Sequence, residues 1–142
     1  MKYLFFIALA FLTVSLQAQS GTLIVKVKGF KSSEGRVGYS LFNTDKGFPS
    51  DSEKAMMAEF TGISDGTATI RVDDLAFGTY AISVFHDKNT NGELDTNFIG
   101  IPKESVGASN DASGTFGPPK FKDAKFDFTE SGQEIVINLQ HF

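Results

Sequence analysis

Cysteine and tryptophan are absent from this chain, and histidine occurs only twice. Without cysteine no disulfide can staple the fold, no thiolate can hold zinc, and no lipid can be attached through sulfur. Positive charge is also in short supply. Lys and Arg number 13 against 17 Asp and Glu, a formal charge of -4, and the basic residues are scattered, with Lys120-Phe121-Lys122 the densest group. A phosphate-tracking surface is therefore not expected, and nucleic acid is excluded as a partner. Helical periodicity over 10–15 residues is missing between the apolar segments, which argues against a parallel α/β sheet. What remains is a chain of 142 residues, one domain's length, with 15 Phe. In the absence of disulfides a hydrophobic core or a bound ion must hold it together.

The first 18 residues read as a segment apart. Lys2 precedes an uncharged apolar run from Tyr3 to Leu16, and Ala18 offers a small residue for cleavage before Gln19. That is the layout of a secretory signal peptide, and the run falls short of the roughly 20 apolar residues that a bilayer span needs. The expected product is an exported protein, periplasmic or secreted, with a single domain over residues 19–142 and no membrane span.

Beyond Ala18 the organising signal is period-2 alternation, the mark of half-buried strands. Thr22–Phe30 and Arg36–Asn43 alternate in this way across a short polar connection, and predict an antiparallel hairpin. Asp51–Phe60 has short helical character, with Ser50, Asp51 or Ser52 as cap. Thr67–Val72 alternates again, and Asp73-Asp74 opens a connection. Gly78–His86 carries Tyr80, Ile82 and Val84 on one face and Ala81, Ser83 and Phe85 on the other. Two apolar faces predict a central strand. A long irregular region from Asp87 to about Lys120 follows, beyond ordinary hairpin length and so expected to be functional or partly structured. Two closing strands lie around Phe126–Phe128 and Ile135–Leu139, with Ser131-Gly132 turning between them. The predicted architecture is all-β, an antiparallel β-sandwich of about seven strands with one long ordered loop.

The densest polar constellation is His86-Asp-Lys-Asn-Thr-Asn-Gly-Glu-Leu-Asp-Thr-Asn97. Counted from Asp87, oxygen-bearing side chains fall at positions 1, 3, 5 and 9 (Asp87, Asn89, Asn91, Asp95), with Asn97 beyond, Gly92 at 6 and Glu93 at 7. Alternate residues can turn hard oxygens toward one cation, glycine permits the reversal, and Glu93 can offer its carbonyl; calcium is the cation that suits this set. Position 12 is Phe98 instead of a bidentate Glu, and a strand leads into the loop, so this is no EF-hand and its affinity should be weak. Asp87, at a strand end, is expected to contribute little packing, and Asp111 lies outside the spacing. Phe98, Phe116 and Phe121 are expected to plug the loop onto the sandwich. His86 reads as a histidine satisfied at the strand end, and His141 as a lone residue of the C-terminal tail. Ser105, Ser109 or Ser113 with His86 and Asp87 lack nucleophile-elbow spacing.

The segments Gly78–Ile82, His86–Asn97, Gly100–Glu104, Val106–Asn110 and Gly117–Ala124, in unbroken order, resemble the small secreted bacterial proteins classed as DUF2141. Ala108 stands where such relatives often carry Phe. The resemblance implies export and a β-sandwich, and no reaction. Val72–Asp87 is also similar to the middle of transthyretin-like and collagen-adhesin B-type modules, a likeness of fold alone. The function expected is a non-enzymatic exported module, calcium-stabilised, binding a protein, peptide or glycan through its loops. His86 and Glu104 are the residues expected to support the metal ligands or touch a bound molecule. The alternative is a small extracytoplasmic hydrolase or carbohydrate-processing enzyme using His86 with nearby carboxylates. Sequencing of the exported protein should give an N-terminus at Gln19 or within a few residues of it; retention of Met1 would contradict the export reading.

Overall fold

The computed structural model describes residues 19–142, so the expected signal peptide at 1–18 lies outside the described residues. Eight strands form two sheets: β1 (Ser20–Lys28), β2 (Arg36–Phe42), β3 (Met57–Thr61), β4 (Ala68–Ala76), β5 (Gly78–Asp87), β6 (Val106–Ala108), β7 (Phe126–Phe128) and β8 (Glu134–Asn138). One sheet has the order β4-β1-β8; the other runs β3-β2-β5-β6, with β7 pairing the start of β5. Together they make the expected β-sandwich. Its core lies between Leu23, Val25, Val27, Ile70, Val72 and Ile137 of the first sheet and Val37, Tyr39, Leu41, Tyr80, Ile82 and Val84 of the second. These are the alternating apolar positions of each strand, which is why the two sheets close face to face.

Several local expectations are corrected. β1 and β2 are not a hairpin: β1 pairs β4 and β8, whereas β2 pairs β3 and β5. Their apolar faces meet across the core instead of lying side by side, so the connection crosses between sheets. Gly35 makes the crossing possible, because at φ 76° a Cβ would be strained and would lie 2.2 Å from the Asp87 carbonyl oxygen. β8 runs parallel to β1, entering from β7 of the other sheet at the end where β1 begins. The expected helix over Asp51–Phe60 is reduced to one 3₁₀ turn at Ser52–Lys54, capped by the Asp51 side chain. The rest becomes β3, since pairing with β2 satisfies a whole row of backbone groups and one or two helical turns are marginal alone. Asp73 and Asp74 stay inside β4, at a register irregularity opposite Gly21–Leu23, with Asp74 at φ 53°.

The centrality of β5 is borne out: it pairs β2, β6 and β7. On its outer face Ala81 packs with Ala108 and Ala124 under Phe48 and Phe121. The Ser109 hydroxyl, fully buried, accepts from the Ile82 N–H (3.0 Å) and donates to the Ala124 carbonyl (2.6 Å). At the entry to β5 the Tyr80 hydroxyl donates to the Ala76 carbonyl at 2.6 Å, a tyrosine-corner contact that fixes the turn between sheets. Burial, and then the hydrogen bond and charge of Glu59, push the Tyr39 hydroxyl up to about 12.

Ile82 is fully buried at the middle of β5. Ile82→Ala should therefore cost about 2–5 kcal/mol through lost transfer energy and a cavity. Lys26→Ala, on the outward side of β1, should change stability by about 0.5 kcal/mol or less. Denaturant melts of the two variants check the assignment of faces, which equal effects would overturn.

Candidate functional site

Register builds the site. Arg36 and Asp87 are directly opposite in the β2–β5 ladder, both on the outer face of the second sheet. The Asp87 side chain has no exposed surface, and its Oδ2 lies 2.9 Å from Arg36 Nε. Oδ2 also accepts the Gly92 N–H at 3.0 Å, and Oδ1 accepts the Asn91 N–H at 3.0 Å. The chain can wrap its amides onto the carboxylate only because it reverses at Gly92, where φ is 84°. Arg36 is held in turn by the Phe60 ring, 3.8 Å from its guanidinium carbon, and Phe60 packs edge-on against Phe85. A buried carboxylate is tolerated when a cation and fixed donors replace water, and Asp87 has both.

Four of the six expected metal-site residues come together here. Asn89 and Asn91 each turn an amide to Asp95, with Nδ2 to Oδ2 at 2.6 Å and Nδ2 to Oδ1 at 2.9 Å. The Asn91 Oδ1 accepts the Glu93 N–H (3.0 Å), closing the loop around Asp87 and Asp95. Glu93 enters this network through its backbone. Asn97 sits elsewhere: its Oδ1 accepts the N–H groups of Ile99 and Ile101, both at 3.0 Å, and so caps the tip of a small hairpin. Glu104 supports the loop from behind, taking the Lys88 N–H on Oε1 (3.0 Å) and the Asp95 N–H on Oε2 (3.1 Å). With Lys103 N–H on the Asp95 carbonyl and a bridge between Thr96 and Pro102, residues 95–103 form a braced hairpin. Its tip presents Phe98, fully exposed, beside Ile99 and Ile101. The expectation that Phe98 and Phe116 plug the loop onto the sandwich is thus wrong, as both are fully exposed; Phe121 alone packs inward, against Phe48. Phe98 follows directly on the residue that caps the hairpin turn, and the turn directs it outward.

His86 closes the inner face of β5. Its Nε2 lies 2.6 Å from the Glu34 carbonyl, and its ring stands edge-on to Phe30. The neighbouring carboxylates of Asp87 and Glu104 are both engaged by backbone N–H groups. His141 is less isolated than its sequence position implied: Nε2 is 2.8 Å from the Gly29 carbonyl and Nδ1 is 2.5 Å from Ser105 Oγ. Arg36 and the Ser105–His141 pair were missed because their partners lie 51 and 36 residues away. Only the register of β2 on β5, placing Arg36 beside Asp87, could have signalled the first.

Chemically, the loop is a set of hard oxygens suited to calcium in kind. Among the described residues no group of three or more His, Cys, Asp and Glu is gathered for a metal, and the donors on offer are carboxylate and asparagine oxygens. Arg36 already neutralises Asp87, leaving Asp95 as the carboxylate whose charge a cation would answer. Asp87, expected to contribute little packing, is instead a buried structural residue. Asp111, outside the ligand spacing, is engaged elsewhere: its carboxylate receives the Asn138 N–H and side-chain amide, both at 2.8 Å.

Arg36→Met strands the buried carboxylate and should cost about 1–3 kcal/mol, moderated by the partial exposure of Arg36. Asp87→Asn should cost a similar amount, and the double variant should recover at least about 1 kcal/mol of the summed losses. Urea melts in chelator complete this cycle; strictly additive losses would mean that the pair does not act as a unit.

Comparison with curated proteins and with solved structures gave no match. The family description "Uncharacterized protein conserved in bacteria (DUF2141)" matches residues 25–136, which span the sandwich from β1 into β8 and include the whole Asp87–Ser105 loop. With most of its length so matched, the chain belongs to the DUF2141 family.

Proposed function

We propose that this protein is an exported, non-catalytic β-sandwich module that binds a protein or peptide through the loop end of its second sheet. The observation that carries the reading is the braced hairpin at 95–103, which holds Phe98, Ile99 and Ile101 out in solvent on a backbone fixed by Asn97, Asp95 and Glu104. Apolar side chains exposed together on a fixed frame are what a binding hot spot requires, and a frame already ordered loses little entropy on binding. The engagement of Asp87 and Glu104 with backbone donors supports binding over acid–base chemistry at His86. No helix among the described residues is long and apolar enough to cross a membrane.

Calcium is part of the proposal as a stiffener of the loop. Asp95 with Asn89 and Asn91 would hold it, the two amides turning their oxygens inward in place of the N–H groups that they give to Asp95. Its role would be to offset the Asp95 charge, and the Arg36–Asp87 pair keeps the affinity in the weak extracellular range.

At free calcium ten times Kd the gain is RT ln 11, about 1.4 kcal/mol, or several degrees in melting temperature. Asp95→Asn should abolish that gain, read against its own melt in chelator because the variant also loses one of the two amide hydrogen bonds that Asp95 accepts. Capture from an envelope fraction, with and without calcium, should recover a partner with the wild type. The same capture should fail with Phe98→Ser/Ile99→Ser, whose melting temperature should match wild type because both side chains are exposed. Equal capture by that variant would remove the hairpin tip from the account, and a melting temperature unmoved by millimolar calcium would remove the metal.

A further inference from the structure

A cavity of about 240 Å³ opens at the base of the braced hairpin, between the β1–β2 connection and the C-terminal tail. Three lysines from three separate segments line it: Lys31, Lys88 and Lys103. Among the described residues only Lys88 has a carboxylate partner, Glu34 at 3.3 Å. The acidic side chain of the lining, Glu104, accepts a backbone N–H on each oxygen. Lys31 and Lys103 line one small concavity and, among the described residues, neither has a carboxylate within ion-pair distance, in a chain whose net charge is -4.

Hydrogen bonds tie the walls together. The Nε2 of His86 and the Nε2 of His141 each face a carbonyl, Glu34 at 2.6 Å and Gly29 at 2.8 Å. A carbonyl only accepts, so each ring carries its proton on Nε2. In the neutral ring the Nδ1 of His141 then accepts the Ser105 hydroxyl, at 2.5 Å. This hydrogen bonding pins the tail against the loop and keeps the cavity open beside the lysines. The volume falls below the roughly 300–1,000 Å³ of pockets for drug-sized ligands, which selects a compact group. Three lysines in one lining disfavour a metal cation and attract a charged oxyanion.

We propose that this cavity is a binding site for a phosphate or sulfate group, free or carried as a monoester, held chiefly by Lys31 and Lys103. The site is separate from the apolar hairpin tip and stands or falls independently of it.

The test is a nuclear magnetic resonance titration of the full exported chain at fixed pH. Inorganic phosphate, sulfate and methyl phosphate are compared with chloride at matched ionic strength. Saturable shifts are expected at the rings of His86 and His141 and at the Ser105 amide with the oxyanions and not with chloride. Lys31→Ala/Lys103→Ala should weaken binding at least tenfold, while Lys26→Ala on the outer face of the other sheet should leave it unchanged. Lys31 and Lys103 are exposed, so the double variant should melt with the wild type. Methyl phosphate binding as tightly as phosphate would assign the site to an esterified ligand; binding of phosphate without methyl phosphate would assign it to the free anion. Shifts that do not saturate, or an undiminished affinity in the double lysine variant, would overturn the proposal.

Discussion

A carboxylate with no exposed surface stands at the end of the central strand, and the architecture of the loop end follows from how its charge is met. Asp87 emerges from β5 opposite Arg36 on β2, so the ladder that builds the sheet also supplies the counter-charge. Two backbone amides then fold back onto the same group. Removing one of these donors would leave the buried charge less fully compensated. The loop therefore has one strongly favoured course as it leaves the sheet, and everything distal to it inherits that course.

Glu104 applies the same device from the other side. By accepting N–H groups from Lys88 and Asp95 it ties both legs of the excursion together before the chain re-enters the sheet as β6. The two carboxylates divide the work between them. Asp87 sets where the loop starts, and Glu104 sets how far its hairpin stands away. Between them lie two surfaces of different chemistry, an apolar tip at Phe98 and a cationic hollow at Lys31 and Lys103. A sandwich that offers rigid loops at one end leaves recognition to such surfaces while its core supplies stability.

Much of the fold was legible because alternation reports directly on burial. Val25 and Val27, Ile70 and Val72, and Ile82 and Val84 all face the core as their spacing implies. Pairing partners were not legible from alternation, which says which face a residue takes and nothing about its neighbour. Hence β1 and β2 read as a hairpin although they occupy different sheets, and β3 hid within a segment of weak helical pattern. In the loop the cluster of Asp87, Asn89, Asn91 and Asp95 was visible as spacing. Glu104 was visible as a support without its partners, and the roles of Arg36 and Asn97 were not visible, since each depends on which backbone N–H or carboxylate lies beside it in space. Asn97 shares the spacing of a ligand and serves as the cap of a hairpin turn. His141 looked solitary for the same reason: its partners Ser105 and Gly29 are brought to it by the closing of the sandwich.

The central claim is that buried Asp87 and its supporter Glu104 hold the loop in one conformation without any partner. Native-state hydrogen exchange in chelator reads this at the amides that the two carboxylates receive, those of Lys88, Asn91, Gly92 and Asp95. The account predicts that these four exchange far more slowly than the exposed amides of Asn89 and Phe98, and that Arg36→Met selectively releases Asn91 and Gly92. Exchange of all four at the rate of an unstructured chain would contradict it.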